Sequence, residues 1–267
     1  FGAKTPEMLP KEYARSALKI GLEQQAKLGV NPFKFGMIGA TDSHTSLATT
    51  REENYFGKFS GVEPGTGQDR YDDDVISDRR PGGDGSLQVK HWETTAGALA
   101  GVWARENTRE SIWDALARKE GYASTGTRPV LRVFAGWHFR QGDVSRPDFV
   151  DLGYRDGVPM GGDLTAAPEG AAPRLIVQAL RDPNGANLDR IQVVKGWLDA
   201  DGVSREQIYD IACAGGREIA DDHRCSSPVG TAAMRSLLCV RKLSVRPFLN
   251  SLAAARNWLR QIALSDW

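Results

Sequence analysis

Cysteine, histidine, net charge and long apolar runs are all scarce in this sequence. Three cysteines, Cys213, Cys225 and Cys239, are too few for a small domain built on disulfides. No run approaches the roughly 18 to 20 apolar residues that a spanning helix needs, so no transmembrane segment is expected. The opening FGAKTPEMLP lacks the charged start and apolar core of a secretory signal, and it lacks an initiator Met. Lys plus Arg and Asp plus Glu each total 34. That balance argues against nucleic acid or an anionic membrane as partner, since both demand a basic surface. Neither G-x-G-x-x-G nor P-loop spacing occurs, so the glycines are read as turn formers rather than phosphate binders. A serine hydrolase is disfavoured too: there is no G-x-S-x-G elbow, and Ser43, between Asp42 and His44, sits too close to both for a relay.

What the chain does have is enough apolar sequence, 40% of 267 residues, to bury one large core or two smaller ones. Between residues 10 and 28, Tyr13, Ala14, Ala17, Leu18, Leu22 and Leu28 recur near helical spacing, and Gly29 suits the left-handed position that ends a helix. FKFGMIGA then reads as a strand that ends in the loop TDSHTS, giving one αβ unit. A second unit is expected at residues 107–134. There Asn107 and Glu110 would form a capping box, Ile112, Trp113, Ala115 and Leu116 a buried stripe, Gly121 a stop and Val130 to Phe134 a strand. Residues 57–90, rich in Gly, Asp, Arg and Pro, read as a long surface excursion in which Asp72, Asp73 and Asp74 lack calcium-loop spacing. The sequence therefore divides into an α/β part over residues 1–140, a β-rich appendage over 141–228 with VDLGYRDGVPMGGDL as linker and first strand, and a basic tail over 229–267. In that tail Phe248, Leu252, Ala255, Leu259 and Ile262 predict an amphipathic helix.

Asp42 and His44 are the first candidates for chemistry. Two residues apart on an extended segment, they point to the same side, so carboxylate and imidazole can converge on one cation. Two ligands do not make a catalytic zinc site, which takes three from protein, and His91, His138 and His223 do not evidently complete it. Ser43, Thr45, Glu53 and Arg105 are candidates for the second shell or for substrate. Glu52, Glu53 and Glu106 could serve as acid or base, and Arg105, Arg109 and Arg128 could bind an anion or pair with nearby acids. Cys213 and Cys225 bracket CAGGREIADDHRC. A disulfide there suits a periplasmic or secreted protein, whereas two free thiols suit a cytoplasmic one. A zinc site from Cys213, His223 and Cys225 lacks a fourth ligand.

Three blocks in order, KFGMIGATDSHTSLATTREENYFGK, LAGVWARENTRESIWDALARKEGYASTGTRPVLRVFAGW and DPNGANLDRIQVVKGWLDADG, resemble the bacterial family known as domain of unknown function 3604. The likeness runs from about Pro10 to Cys225. That family in turn resembles a branch of the polymerase and histidinol phosphatase (PHP) superfamily of metal-dependent phosphoesterases. The resemblance implies the C-terminal part of a distorted (β/α)7 barrel followed by a β-rich domain. It also implies a Gly-x-Asp-x-His-like motif that maps onto Gly39, Thr41, Asp42, Ser43 and His44 with one extra residue. The implied cofactors are two or three divalent ions (zinc, manganese or iron) holding an activated water, and the implied substrate is a small phosphorylated molecule. The superfamily's H-x-H strand is not found before residue 37. On that reading the chain is the later part of a longer protein and alone should bind metal weakly and hydrolyse little. The expected alternatives are a non-catalytic binding module with a remnant metal loop, and hydrolysis of amide or sulfate esters. The basic tail departs from the family's β pattern, as a frame change or a divergent terminus would.

Overall fold

The computed structural model describes residues 5–44, 74–77, 88–90, 98–165, 167–229, 236–242 and 261–265. The chain divides into two compact units. One comprises Phe1–Pro10, Met37–Gly101 and Tyr122–Gly126; the other comprises Lys11–Gly36, Val102–Gly121 and Thr127–Trp267. No helix among the described residues is long and apolar enough to cross a membrane.

The helix expected over residues 10–28 forms in two pieces, α1 (Leu9–Glu12) and α2 (Ala14–Leu28), because Tyr13 between them is extended (φ −115°, ψ 145°). Gly29 ends α2 at φ 76° and donates its N–H to Gln25 O, the close that only glycine adopts cheaply. The segment after it forms no regular strand, which removes the strand of the first αβ unit. Within the excursion at 57–90, β1 (Asp74–Ser77) pairs antiparallel with β2 (Gln88–Lys90). Asp72 and Asp73 lie outside the described residues.

Between β3 (Ala100–Val102) and β4 (Gly121–Ala123) runs α3 (Arg109–Ala117). Its cap is Thr108, whose Oγ1 accepts the Ser111 N–H at 3.3 Å, so the expected box from Asn107 and Glu110 is displaced by one residue. The expected stripe is only partly inside: Ala115 is buried, while Trp113 is 70% exposed and Leu116 41%. The helix ends before Gly121, with Lys119 taking the left-handed turn at φ 60°.

The larger sheet has the order β10-β7-β5-β6, from β5 (Val130–Gly136), β6 (Gly157–Pro159), β7 (Arg174–Leu180) and β10 (Ser236–Lys242). The smaller has the order β11-β8-β9, from β8 (Arg190–Leu198), β9 (Ser204–Cys213) and β11 (Gln261–Ser265). The apolar core on the larger sheet gathers Phe134, Phe139, Val144, Leu152 and Ile176, with Phe149 and Val150 against it. A helix missing from the sequence-based expectation, α4 (Phe149–Asp156), supplies Phe149, Val150 and Leu152 to that core. Helix α2 packs on β8 and β9, and Glu206 accepts from Arg15 Nε at 2.8 Å and pairs with Lys19 Nζ at 3.2 Å.

The expected (β/α)7 barrel portion is not there. The pairings of both larger sheets and of β1 with β2 are antiparallel. So is the β3-β4 ribbon, since Trp103 bonds to Glu120 and Ser124 to Leu99, partners that run in opposite directions. A barrel of this type needs parallel neighbours joined by crossover helices. The two helices that follow a strand and lead to its neighbour, α3 between β3 and β4 and α4 between β5 and β6, both join antiparallel pairs, and among the described residues no sheet closes. In the basic tail, Phe248, Leu252, Ala255 and Leu259 of the expected helix lie outside the described residues, while the described parts, β10 and β11, which includes Ile262, are strands that pair with β7 and β8.

Candidate functional site

In the first unit, Gly39 lies where the chain approaches other backbone closely. A Cβ there would stand 2.7 Å from Leu99 O and 2.8 Å from both Ser124 O and Ala98 Cβ, distances no side chain tolerates. Ser124, almost fully buried, accepts the Leu99 N–H on its Oγ at 3.1 Å and so ties together the two segments that Gly39 abuts. The chain leaving Gly39 turns at once: Thr41 Oγ1 accepts the Ser43 N–H at 3.3 Å, and Asp42 between them adopts φ 54°. Aspartate is among the few residues that tolerate this left-handed conformation, and a Thr side chain bonding two residues on stabilises the turn.

That turn brings His44 Nε2 to 3.1 Å from Asp42 Oδ1. Both side chains face solvent, at 54% exposure for His44 and 70% for Asp42. A side-chain contact so exposed contributes little to stability. Two donors bound to one cation at about 2.1 Å and subtending 90° to 109° stand about 3.0 to 3.4 Å apart. The observed separation, that of a hydrogen bond, also falls in that range. Among the described residues there is no group of three or more His, Cys, Asp or Glu side chains placed to hold one.

The remaining expected residues are not gathered with this pair. Thr45, Glu52, Glu53 and His91 lie outside the described residues. Arg105 belongs to the second unit, on the exposed loop before α3, where its N–H and that of Glu106 both bond to Ser111 Oγ. Arg128 donates its backbone N–H to Asp182 Oδ2 at 2.8 Å, with its Nε 3.6 Å from the same oxygen, so it pairs with a neighbouring acid.

A second histidine–carboxylate pair was not legible in the sequence. His223 Nδ1 is 2.6 Å from Asp210 Oδ2, and Gln192 Nε2 donates to Asp210 Oδ1 at 2.7 Å and to His223 O at 2.9 Å. Burial alone would raise the Asp210 pKa, but the bonds from His223 and Gln192 outweigh it and hold the carboxyl below its ordinary value. His223 sits at φ 64° at the tip of a hairpin closed by the bridge between Ile219 and Cys225. Cys225 is joined to Cys213 by a disulfide. Disulfide sulfurs cannot act as thiolate ligands, which removes the zinc alternative for Cys213, His223 and Cys225. Thirteen residues separate Asp210 from His223, and only the β9 ladder and this closure bring them together.

Residues 1–236 match the family described as a protein of unknown function (DUF3604), and the chain belongs to that family. Comparison with curated proteins and with solved structures gives no match.

Proposed function

We propose that Asp42 and His44 are ligands of a divalent transition-metal site that hydrolyses a phosphate ester. The 3.1 Å separation of a carboxylate oxygen and an imidazole nitrogen on a glycine-anchored turn carries this reading. The likeness of Gly39 to His44 to the Gly-x-Asp-x-His-like motif of PHP phosphoesterases supports it, and it requires no barrel. One carboxylate oxygen and one neutral imidazole suit zinc, manganese or iron, borderline ions that accept both donor types. Such an ion, when bound, lowers the pKa of a coordinated water towards neutrality and offsets charge on a phosphoryl group. The chain's own contribution is orientation: the Thr41–Ser43 turn fixes Asp42, and Asp42 fixes the imidazole plane of His44. A second reading, a non-catalytic binding module with a remnant metal loop, is favoured by the finding that only two ligands converge among the described residues.

Calorimetric titration with zinc and manganese, paired with hydrolysis of 4-nitrophenyl phosphate, tests the proposal. Asp42→Asn and His44→Ala should each weaken metal binding at least about tenfold and abolish metal-dependent hydrolysis. Binding unchanged in both variants would sink it. Binding lost without any measurable hydrolysis of phosphate, sulfate or amide substrates would favour the second reading.

A further inference from the structure

Away from that pair, five side chains of the second unit converge from α3, α4, β5 and the ends of β3 and β4. Glu120 is 2% exposed, yet it is a carboxylate. Its Oε1 accepts the Tyr154 hydroxyl in a short hydrogen bond, and its Oε2 accepts Arg118 Nη2 at 3.3 Å. Arg132 Nη2 donates to the Tyr154 oxygen at 2.9 Å. The Arg132 guanidinium lies 3.9 Å over the Trp103 ring, and Trp103 is itself held by donating Nε1 to Leu131 O at 3.0 Å. Arg132 Nε is buried with no hydrogen-bond partner. A buried carboxylate and an unsatisfied guanidinium N–H both cost stability, and their meeting at one place marks a candidate for chemistry.

We propose that Tyr154 is the nucleophile of a second reactive centre, with Glu120 as its base and Arg118 and Arg132 as the recognition elements for an anionic carboxylic ester. The hydroxyl has its base in place on one side and a cation on the other, the arrangement that activates an otherwise weak nucleophile. Tyr154 is 45% exposed, and the hydroxyl's bond from Arg132 lies on the exposed side. In the reaction, Tyr154 Oη bonds to the acyl carbon while its proton passes to Glu120 and the ester C–O bond breaks. The departing alkoxide takes the proton back from Glu120. Water then hydrolyses the resulting phenyl ester, which is more activated than the alkyl ester it replaced. The two guanidiniums stabilise the substrate's own anionic group and the developing oxyanion.

A purely structural network makes the opposite prediction. Burial and the bond to Glu120 raise the Tyr154 pKa, so an inert Tyr154 would react more slowly than an ordinary tyrosine. Tyr13 supplies the internal reference, because it is 46% exposed against 45% for Tyr154. The full chain is treated at pH 7 with benzenesulfonyl fluoride and, separately, its 4-carboxylate, and labelling at each tyrosine is followed by peptide mass spectrometry. Each labelling forms an O–S bond, expels fluoride and transfers the phenol proton to Glu120. Tyr154 should react at least about tenfold faster than Tyr13 and should prefer the carboxylated reagent, a preference absent at Tyr13. Glu120→Gln should bring Tyr154 down to the Tyr13 rate, while an unchanged Tyr13 rate in that variant reports an intact fold. Equal or slower labelling of Tyr154 in the unmodified chain overturns the proposal whatever the variant does. Because no metal is involved, the outcome is independent of Asp42 and His44.

Discussion

A single carboxylate, Asp182, organises the turn between β7 and β8. It is 7% exposed and accepts two backbone N–H groups, from Arg128 at 2.8 Å and Asn184 at 3.0 Å. Burial by itself would raise its pKa, yet those two N–H groups and the Arg128 charge outweigh desolvation and hold it below the ordinary carboxylate value. The residue therefore holds the start of β5 against the DPNGAN turn as an ion. Truncation leaves two part-buried N–H donors without this acceptor, each costing up to about 1–3 kcal/mol. Asp182→Ala should lower stability by about 2–4 kcal/mol, visible as a fall in the urea midpoint with an unchanged slope. A loss below about 0.5 kcal/mol would mean that water replaces the carboxylate and that the turn is not held this way.

At the scale of elements, α4 is fixed by what it lacks. A Cβ on Gly153 would lie 2.5 Å from the Phe134 ring, which is fully buried on β5 and makes edge contacts with Phe149 and Tyr154. Alanine favours a helix interior over glycine by about 1 kcal/mol, so on an isolated helix Gly153→Ala would stabilise. Here overpacking, typically about 1–3 kcal/mol, should win, and the thermal midpoint should fall. A rise would show that α4 can move off Phe134. This contact also explains why α4 was illegible in sequence. VDLGYRDG carries two glycines and no long apolar repeat, and its helix is held by tertiary contact rather than by propensity or pattern. Strands β7, β8 and β9 were legible because RLIVQAL, RIQVVKGWL and QIYDIAC are apolar runs bounded by turn sequences. The strand expected at FKFGMIGA failed for the converse reason: a short apolar run specifies burial, but not a ladder partner. At the end of the tail, Ile262 lies in a strand, since Gln261–Ser265 finds a partner in β8. At the candidate site, spacing made the Asp42–His44 pair visible, whereas Glu120 with Tyr154 and Asp210 with His223 meet only through the fold.

For the whole molecule, acid is the discriminating stress. Seven described carboxylates have pKa values below their ordinary ones: Glu7, Asp148 and Asp156 on the surface, and Asp182, Asp199, Glu206 and Asp210, which hold elements of the fold together. Asp199 is held down chiefly by Arg205 and Glu206 chiefly by Arg15, while at Asp182 and Asp210 hydrogen bonds overcome burial. A carboxyl with a depressed folded pKa stabilises fully above its unfolded value, near 4, and that contribution disappears as pH falls through the folded value. Stability should therefore be flat from about pH 7 to 5 and fall below about pH 4. For a chain of this size, each kcal/mol lost lowers the thermal midpoint by about 2–4 °C. Self-repulsion competes as an explanation. The chain is neutral at pH 7, but protonating its 34 acids leaves 34 Lys and Arg with 4 His, and 34 + 4 gives a net charge of +38. Salt separates the two causes, because repulsion between exposed charges is screened while proton uptake by hydrogen-bonded carboxylates is affected far less. Thermal unfolding followed from pH 7 to 2.5 at low salt and at 0.5 M sodium chloride should show the acid fall in both series, and Asp182→Ala should show a shallower one. A fall abolished by salt would assign acid sensitivity to net charge and remove these carboxylates as its source.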